Sequence, residues 1–217
     1  MSHDSVRAVF ASLSAKFEGQ YRWPYLDVEG FVTVGIGCLI HPLPLALALQ
    51  WRMLDGPIAT TLQVTEEWEY LRQSHELARL GARAAEHATH LRLSDAQVAN
   101  LLESRMAQNE AVLAKTFEGW AGYPGDAQLG IHSMAWAMGA GFAKGYPRFV
   151  KAALAGDWDT AAKECAIGGE DRNAGIVPRN VANRVCFGNA ARVKENPAAL
   201  VASETYWPLE LRSDSQH

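Results

Sequence analysis

The stretch FEGQYRWPYLDVEGFVTVGIG, residues 17–37, marks a change of hydrophobic period. On its N-terminal side Val6, Val9, Phe10, Leu13 and Phe17 recur every three or four residues. That spacing predicts an amphipathic helix over 5–17, stopped by Gly19. Beyond it, Leu26, Val28, Phe31, Val32, Val34 and Ile36 are strand formers, and Glu29-Gly30 supplies a turn. This predicts a β-hairpin over 25–37 with Asp27 near its tip and Thr33 on the return strand. Gly35 and Gly37 leave a bare backbone floor on which a ligand can lie.

The helix and the hairpin hold two carboxyl groups in unlike settings. Glu18 falls at a helix C-terminus, where the macrodipole disfavours negative charge. That favours the protonated form, which a general acid needs. Asp27 falls in a polar turn. Two carboxyls held apart in this way suit acid-catalysed cleavage of a glycosidic bond.

Outward from this core the chain reads as mainly helical. Residues 39–62 hold a proline-interrupted apolar run that predicts a loop and a short buried helix. Residues 65–90 are helical in composition. Ser94-Asp95-Ala96-Gln97 forms a capping box for another helix, with Val98, Leu101 and Leu102 inward. The almost wholly apolar 127–139 predicts a central buried helix, ended by Gly139 and Gly141. Helices follow near 146–155, 157–165 and 178–192. The mixed tail after Pro197 is expected to pack loosely or fray. There are no repeats and no low-complexity segment.

Composition narrows the class. The chain has 217 residues, 48% hydrophobic and 20% charged, with a formal net charge of −4. It reads as an ordinary soluble globular protein. Without a dense Lys/Arg cluster, nucleic acid is not an expected partner. No stretch is long enough to span a bilayer, and the N-terminus has no signal-type apolar region. The three cysteines, Cys38, Cys165 and Cys186, lack metal-type spacing and do not suggest a disulfide framework. His87 and His90 have no third ligand at suitable spacing, so no metal site is expected. GAGFAKG at 139–145 lacks the lysine-hydroxyl ending of a phosphate loop and reads as a helix-ending turn. Ser14 and Ser133 lack a nucleophile-elbow context. Cys38 reads as a small buried hydrophobe.

Taken together, Glu18-Gly19, Asp27, Glu29-Gly30 and Thr33-Val34-Gly35-Ile36-Gly37 resemble the phage-type lysozymes, the muramidases of T-even phages and their relatives. That family carries Glu-Gly at the end of its first helix, then an Asp-containing hairpin and a T-[IV]-G-[IY]-G strand. LRLSDAQVANLL, AWAMGAGFAKGYPRFVKAALAGDWDTAA and GIVPRNVANRVCF are similar to its later helices. The resemblance covers roughly residues 6–50 and 91–192.

It implies a single α+β domain, mainly helical, with a lysozyme-like two-lobed fold. The small lobe, with its hairpin and an extended insertion, would cover about 18–90. The helical lobe would cover about 91–192, with a cleft between the two and a tail over 193–217. It implies hydrolysis of the β-1,4 bond between N-acetylmuramic acid and N-acetylglucosamine in peptidoglycan. Glu18 would be the general acid, and Asp27 and Thr33 would hold the attacking water. Leu39 and Trp136 match positions that contact the sugar chain. No cofactor and no metal are implied.

The chain departs from the family in four ways, one of them its net charge of −4 where many members are basic. Cys38 stands where a histidine is common, and Ala137 where Asn or Gln is common. The segment between Cys38 and Ser94 is longer than in compact members. Two rival classes stand beside the muramidase: a catalytically weak peptidoglycan-binding module, and a lytic transglycosylase or chitinase on the same fold. Without a signal peptide, such an enzyme would reach the periplasm as a phage endolysin or as an injected antibacterial effector. The effector would have an immunity protein as a partner.

Overall fold

Val6, Phe10 and Leu13 are fully buried, and around them the chain forms α1 (Asp4–Glu18). Gly19 ends it with φ +72°, a backbone that L side chains rarely adopt. A Cβ at Gly19 would also meet the Tyr21 ring at 2.6 Å. The helix stop is thus fixed twice over, by conformation and by space. The computed structural model describes residues 1–27, 29–54, 56–171 and 175–211. It is mainly helical, with small antiparallel sheets. Its contacts divide the chain into two units, residues 18–105, and residues 1–17 with 106–217.

In the 18–105 unit, β1 (Tyr21–Leu26), β2 (Val32–Gly35) and β3 (Cys38–Leu39) form an antiparallel meander. The expected hairpin is present; Val28 of it lies outside the described residues. The register pairs Leu26 with Val32 and Val34 with Cys38. Strand side chains alternate in direction, so these four share one face, and all four are buried. Tyr25, Thr33 and Leu39 pair along the other face.

After β3 come α2 (Leu43–Leu47), β4 (Arg52–Met53), α3 (Thr61–Gln73), α4 (His75–Leu80), α5 (Ala82–Ala88) and β5 (Leu91–Arg92). The short helix expected in 39–62 forms, but it is not buried. Only Ala46 of α2 is covered, while Leu45 and Leu47 are exposed. With five residues α2 is a single turn or so, too short to present an apolar stripe to a core. α3 opens with a capping box between Thr60 and Gln63 and turns Val64, Trp68 and Leu71 inward. The carboxylate of Glu67 accepts from the backbone N–H of His90 and Leu91, fastening α3 to the start of β5.

α6 (Asp95–Thr116) begins with the expected reciprocal bonds between Ser94 and Gln97. α7 (Gly125–Met138), α8 (Pro147–Leu154), α9 (Trp158–Glu164) and α10 (Ile176–Glu195) build the rest of the other unit. α7 is buried from Gly125 to Ala135. Phe117, Phe149, Trp158 and Phe187 pack around it in one aromatic-rich core.

The tail differs from expectation. Asp126, fully buried on α7, accepts from the backbone N–H of Tyr206 at 2.7 Å and of Trp207 at 3.0 Å. Asn189 on α10 accepts from Leu211 N–H and donates to Leu209 C=O, each at 2.8 Å. The Lys16 ammonium sits 4.6 Å over the ring of Trp207. Residues up to Leu211 are therefore fastened by buried polar groups, not loosely packed.

Candidate functional site

Glu18 is the last residue of α1 and half-buried. Its carboxyl lies against Gly37, in the turn between β2 and β3. A Cβ on Gly37 would come within 3.1 Å of Glu18 Oε2 and 3.2 Å of Cδ. Gly37 also has φ +67°. The second glycine of the Gly35-Ile36-Gly37 segment is thus the gap against which the Glu18 carboxyl lies, a closer role than the bare floor expected from sequence.

Tyr25 borders the same place. Its phenol is buried, and burial first, then the Glu18 carboxyl beside it, pushes its pKa up, while a backbone hydrogen bond from Gly37 pulls the other way. Tyr25 therefore stays a neutral hydroxyl next to Glu18 at any physiological pH. Cys38 is 2% exposed, and its thiol leans on the Ile36 carbonyl at 3.9 Å. Desolvation pushes that thiol up to about 12, against the pull of Arg105. A thiol so protonated is no nucleophile, which fits the small buried hydrophobe expected.

Asp27 follows β1 and is tied into the turn. Its Oδ1 accepts from Glu29 N–H at 3.0 Å and Phe31 N–H at 2.8 Å. Its own backbone pairs with Phe31 C=O and Gly30 N–H. One carboxylate oxygen thus closes an Asx-type turn, and no described residue donates to Oδ2. Thr33, 4% exposed, sits on β2 opposite Tyr25 and donates its hydroxyl to Phe31 C=O at 3.3 Å. Phe31 is therefore the hinge pin of this region. Its N–H holds Asp27 and its C=O takes the Thr33 hydroxyl.

Leu39 is the cross-strand partner of Thr33 and 36% exposed. Glu18, Asp27, Thr33 and Leu39 all belong to the 18–105 unit. Trp136 belongs to the other unit, on α7, half-buried with its ring edge-on to Phe10 at 5.2 Å between centroids. As site residues, Tyr25 and Phe31 are missed by sequence reasoning. Tyr25 precedes Asp27 by two, the strand period that puts them on one side, and that is the available signal. Phe31 acts through its backbone, which leaves no mark on residue type.

Among the described residues no group of three or more His, Cys, Asp or Glu could hold a metal ion. None of the described helices is long and apolar enough to cross a membrane. His87 is exposed on α5, and His90, beyond that helix, reaches Glu67 at 3.4 Å. The chain matches no protein-family model, and no curated protein matches it at a significant level.

Proposed function

We propose that this chain is a muramidase of the phage lysozyme type, cutting the β-1,4 bond between N-acetylmuramic acid and N-acetylglucosamine. The observation that carries the reading is the pairing of two different carboxyls in one small unit. Glu18 is set against Gly37 and a neutral Tyr25 hydroxyl, while Asp27 is tied by one oxygen to backbone amides.

In the reaction, Glu18 gives its proton to the glycosidic oxygen as the C–O bond breaks. Asp27 takes a proton from the attacking water through Oδ2, and the Thr33 oxygen accepts the water's second hydrogen. Water adds from the face opposite the leaving group, so the anomeric centre inverts. Carboxyls about 6.5–9.5 Å apart leave room for that water. Each turnover consumes one water and leaves a reducing end, and Glu18 and Asp27 then exchange protons with solvent.

The test is digestion of peptidoglycan sacculi by wild type and Glu18→Gln, with released muropeptides read by mass spectrometry. Reducing-end muramic acid products from wild type alone are expected. Anhydro products would assign a lytic transglycosylase instead. Binding to sacculi without release by either protein would leave a wall-binding module.

A further inference from the structure

Phe31 holds Asp27 and Thr33 with its backbone, yet the residue is 39% exposed. The ring is braced from behind. It lies 5.2 Å from the His41 ring, and His41 stacks on Trp68 at 5.1 Å with 20° between planes. Trp68 is itself 6% exposed and fixed by its indole N–H to Ile40 C=O at 3.1 Å. Arg72 covers Trp68 with its guanidinium 5.6 Å from the ring. The result is a three-ring ladder from the buried flank of α3 to the open side of the hairpin.

The position of that open ring is set by register. Phe31 is two residues before Thr33 on the returning chain, and Leu39 pairs directly across from Thr33. The period of two puts all three on one side of the ribbon. Thr33 therefore lies between two exposed apolar side chains, Phe31 and Leu39, with Asp27 opposite Phe31.

A pyranose ring has the matching chemistry. One face presents C–H groups that pack on a flat aromatic surface, and its edge presents hydroxyls for a carboxylate. A ring already immobilised loses little conformational freedom on binding. We infer that Phe31, braced by His41 and Trp68, stacks on a sugar residue of the glycan strand beside Asp27, and so sets strand affinity as a substrate-binding residue. This rests on the glycan-cleaving reading above and extends it.

The experiment measures binding of soluble peptidoglycan tetrasaccharide by calorimetry in the Glu18→Gln background, then adds Phe31→Leu or Phe31→Trp. Loss of the aromatic face is expected to weaken binding about tenfold, and Trp to retain it. With Glu18 restored, Phe31→Leu should raise KM with kcat nearly kept, a split that general unfolding would not give. Trp68→Leu, which removes the brace but not the ring, should weaken binding by a smaller factor. Equal affinity with and without the Phe31→Leu substitution, with Glu18→Gln still inactive, would overturn the stacking role and leave the muramidase standing. No saccharide binding by any variant would overturn the glycan reading itself.

Discussion

The missing Cβ of Gly37 is what lets the Glu18 carboxyl lie where it does: a methyl group there would stand 3.1 Å from Oε2. Conformation and space act together, since the same residue has φ +67°. Gly37→Ala should therefore hit activity harder than stability. A cost of about 1–2 kcal/mol in urea unfolding is expected from the left-handed backbone. Turnover of sacculi should fall about tenfold, because the Glu18 carboxyl must give way by a few tenths of an ångström. Equal activity at reduced stability would show that Glu18 tolerates displacement.

Asp27 has a structural duty as well as the proposed chemical one, and two substitutions separate them. Asp27→Asn keeps an oxygen for the Glu29 and Phe31 amides but loses the charge. Asp27→Ala loses both. The Asn variant should melt within about 2 °C of wild type, whereas Ala should cost about 1–2 kcal/mol for the two orphaned amides. Both should lose muropeptide release. Activity surviving in the Asn variant would reduce Asp27 to a turn residue.

His132 predicts an acid limit to stability. It is fully buried on α7, with Nε2 2.9 Å from the Ser2 hydroxyl. Desolvation lowers its pKa from 6.5 to about 4, opposed by Glu110 and helped by Arg7. The folded state thus favours the neutral ring. Its contribution is complete above pH 6.5 and is lost as pH falls toward 4. About 1.4 kcal/mol disappears per pH unit in that window. Asp126, whose pKa is raised chiefly by burial, acts with the opposite sign. Urea midpoints measured from pH 7.5 to 4 should fall, and His132→Phe should flatten the slope while costing stability at neutral pH.

Asp126→Ala removes the acceptor for Tyr206 and Trp207 N–H. Leaving these amides unpaired, one buried and one half-buried, should cost about 2–4 kcal/mol. Limited proteolysis followed by mass spectrometry should then cut first within 199–211. Cleavage elsewhere first would mean that Asn189, Lys16 and Ser5 hold the tail without Asp126.

Where local pattern decides, the sequence is readable. The apolar spacing of α1, the Ser94–Gln97 cap and the strand formers of β1 and β2 each describe a contact between residues a few positions apart. The tail escapes such a reading because its holders are distant. Asp126 and Asn189 stand 80 and 22 residues from the amides of Tyr206 and Leu211, and a lone acid at the head of an apolar helix reads as a first-turn charge. α2 departs from its expected burial because its five residues are too few to form a covered stripe, so apolar composition does not translate into a covered face. In the candidate site, Glu18, Asp27 and Thr33 are legible as residue types. The gap at Gly37 and the backbone role of Phe31 are matters of angle and distance, which no residue type spells out.

The unit formed by residues 1–17 and 106–217 is split in sequence by the other. During synthesis α1 emerges before its partners, since Phe10 packs on His132 and Trp136, and Ser5 bonds to Ser203. Residues 18–105 are all made before residue 106, so the partners within that unit are present before α7 and the tail exist. Synthesis should therefore impose an order, in which the segment bearing Asp27 and Thr33 matures early and α1 docks only when α7 and the tail have been made. A slow codon run placed before residue 125 should leave an α1 that is open to chaperones and proteases while its neighbour is already folded.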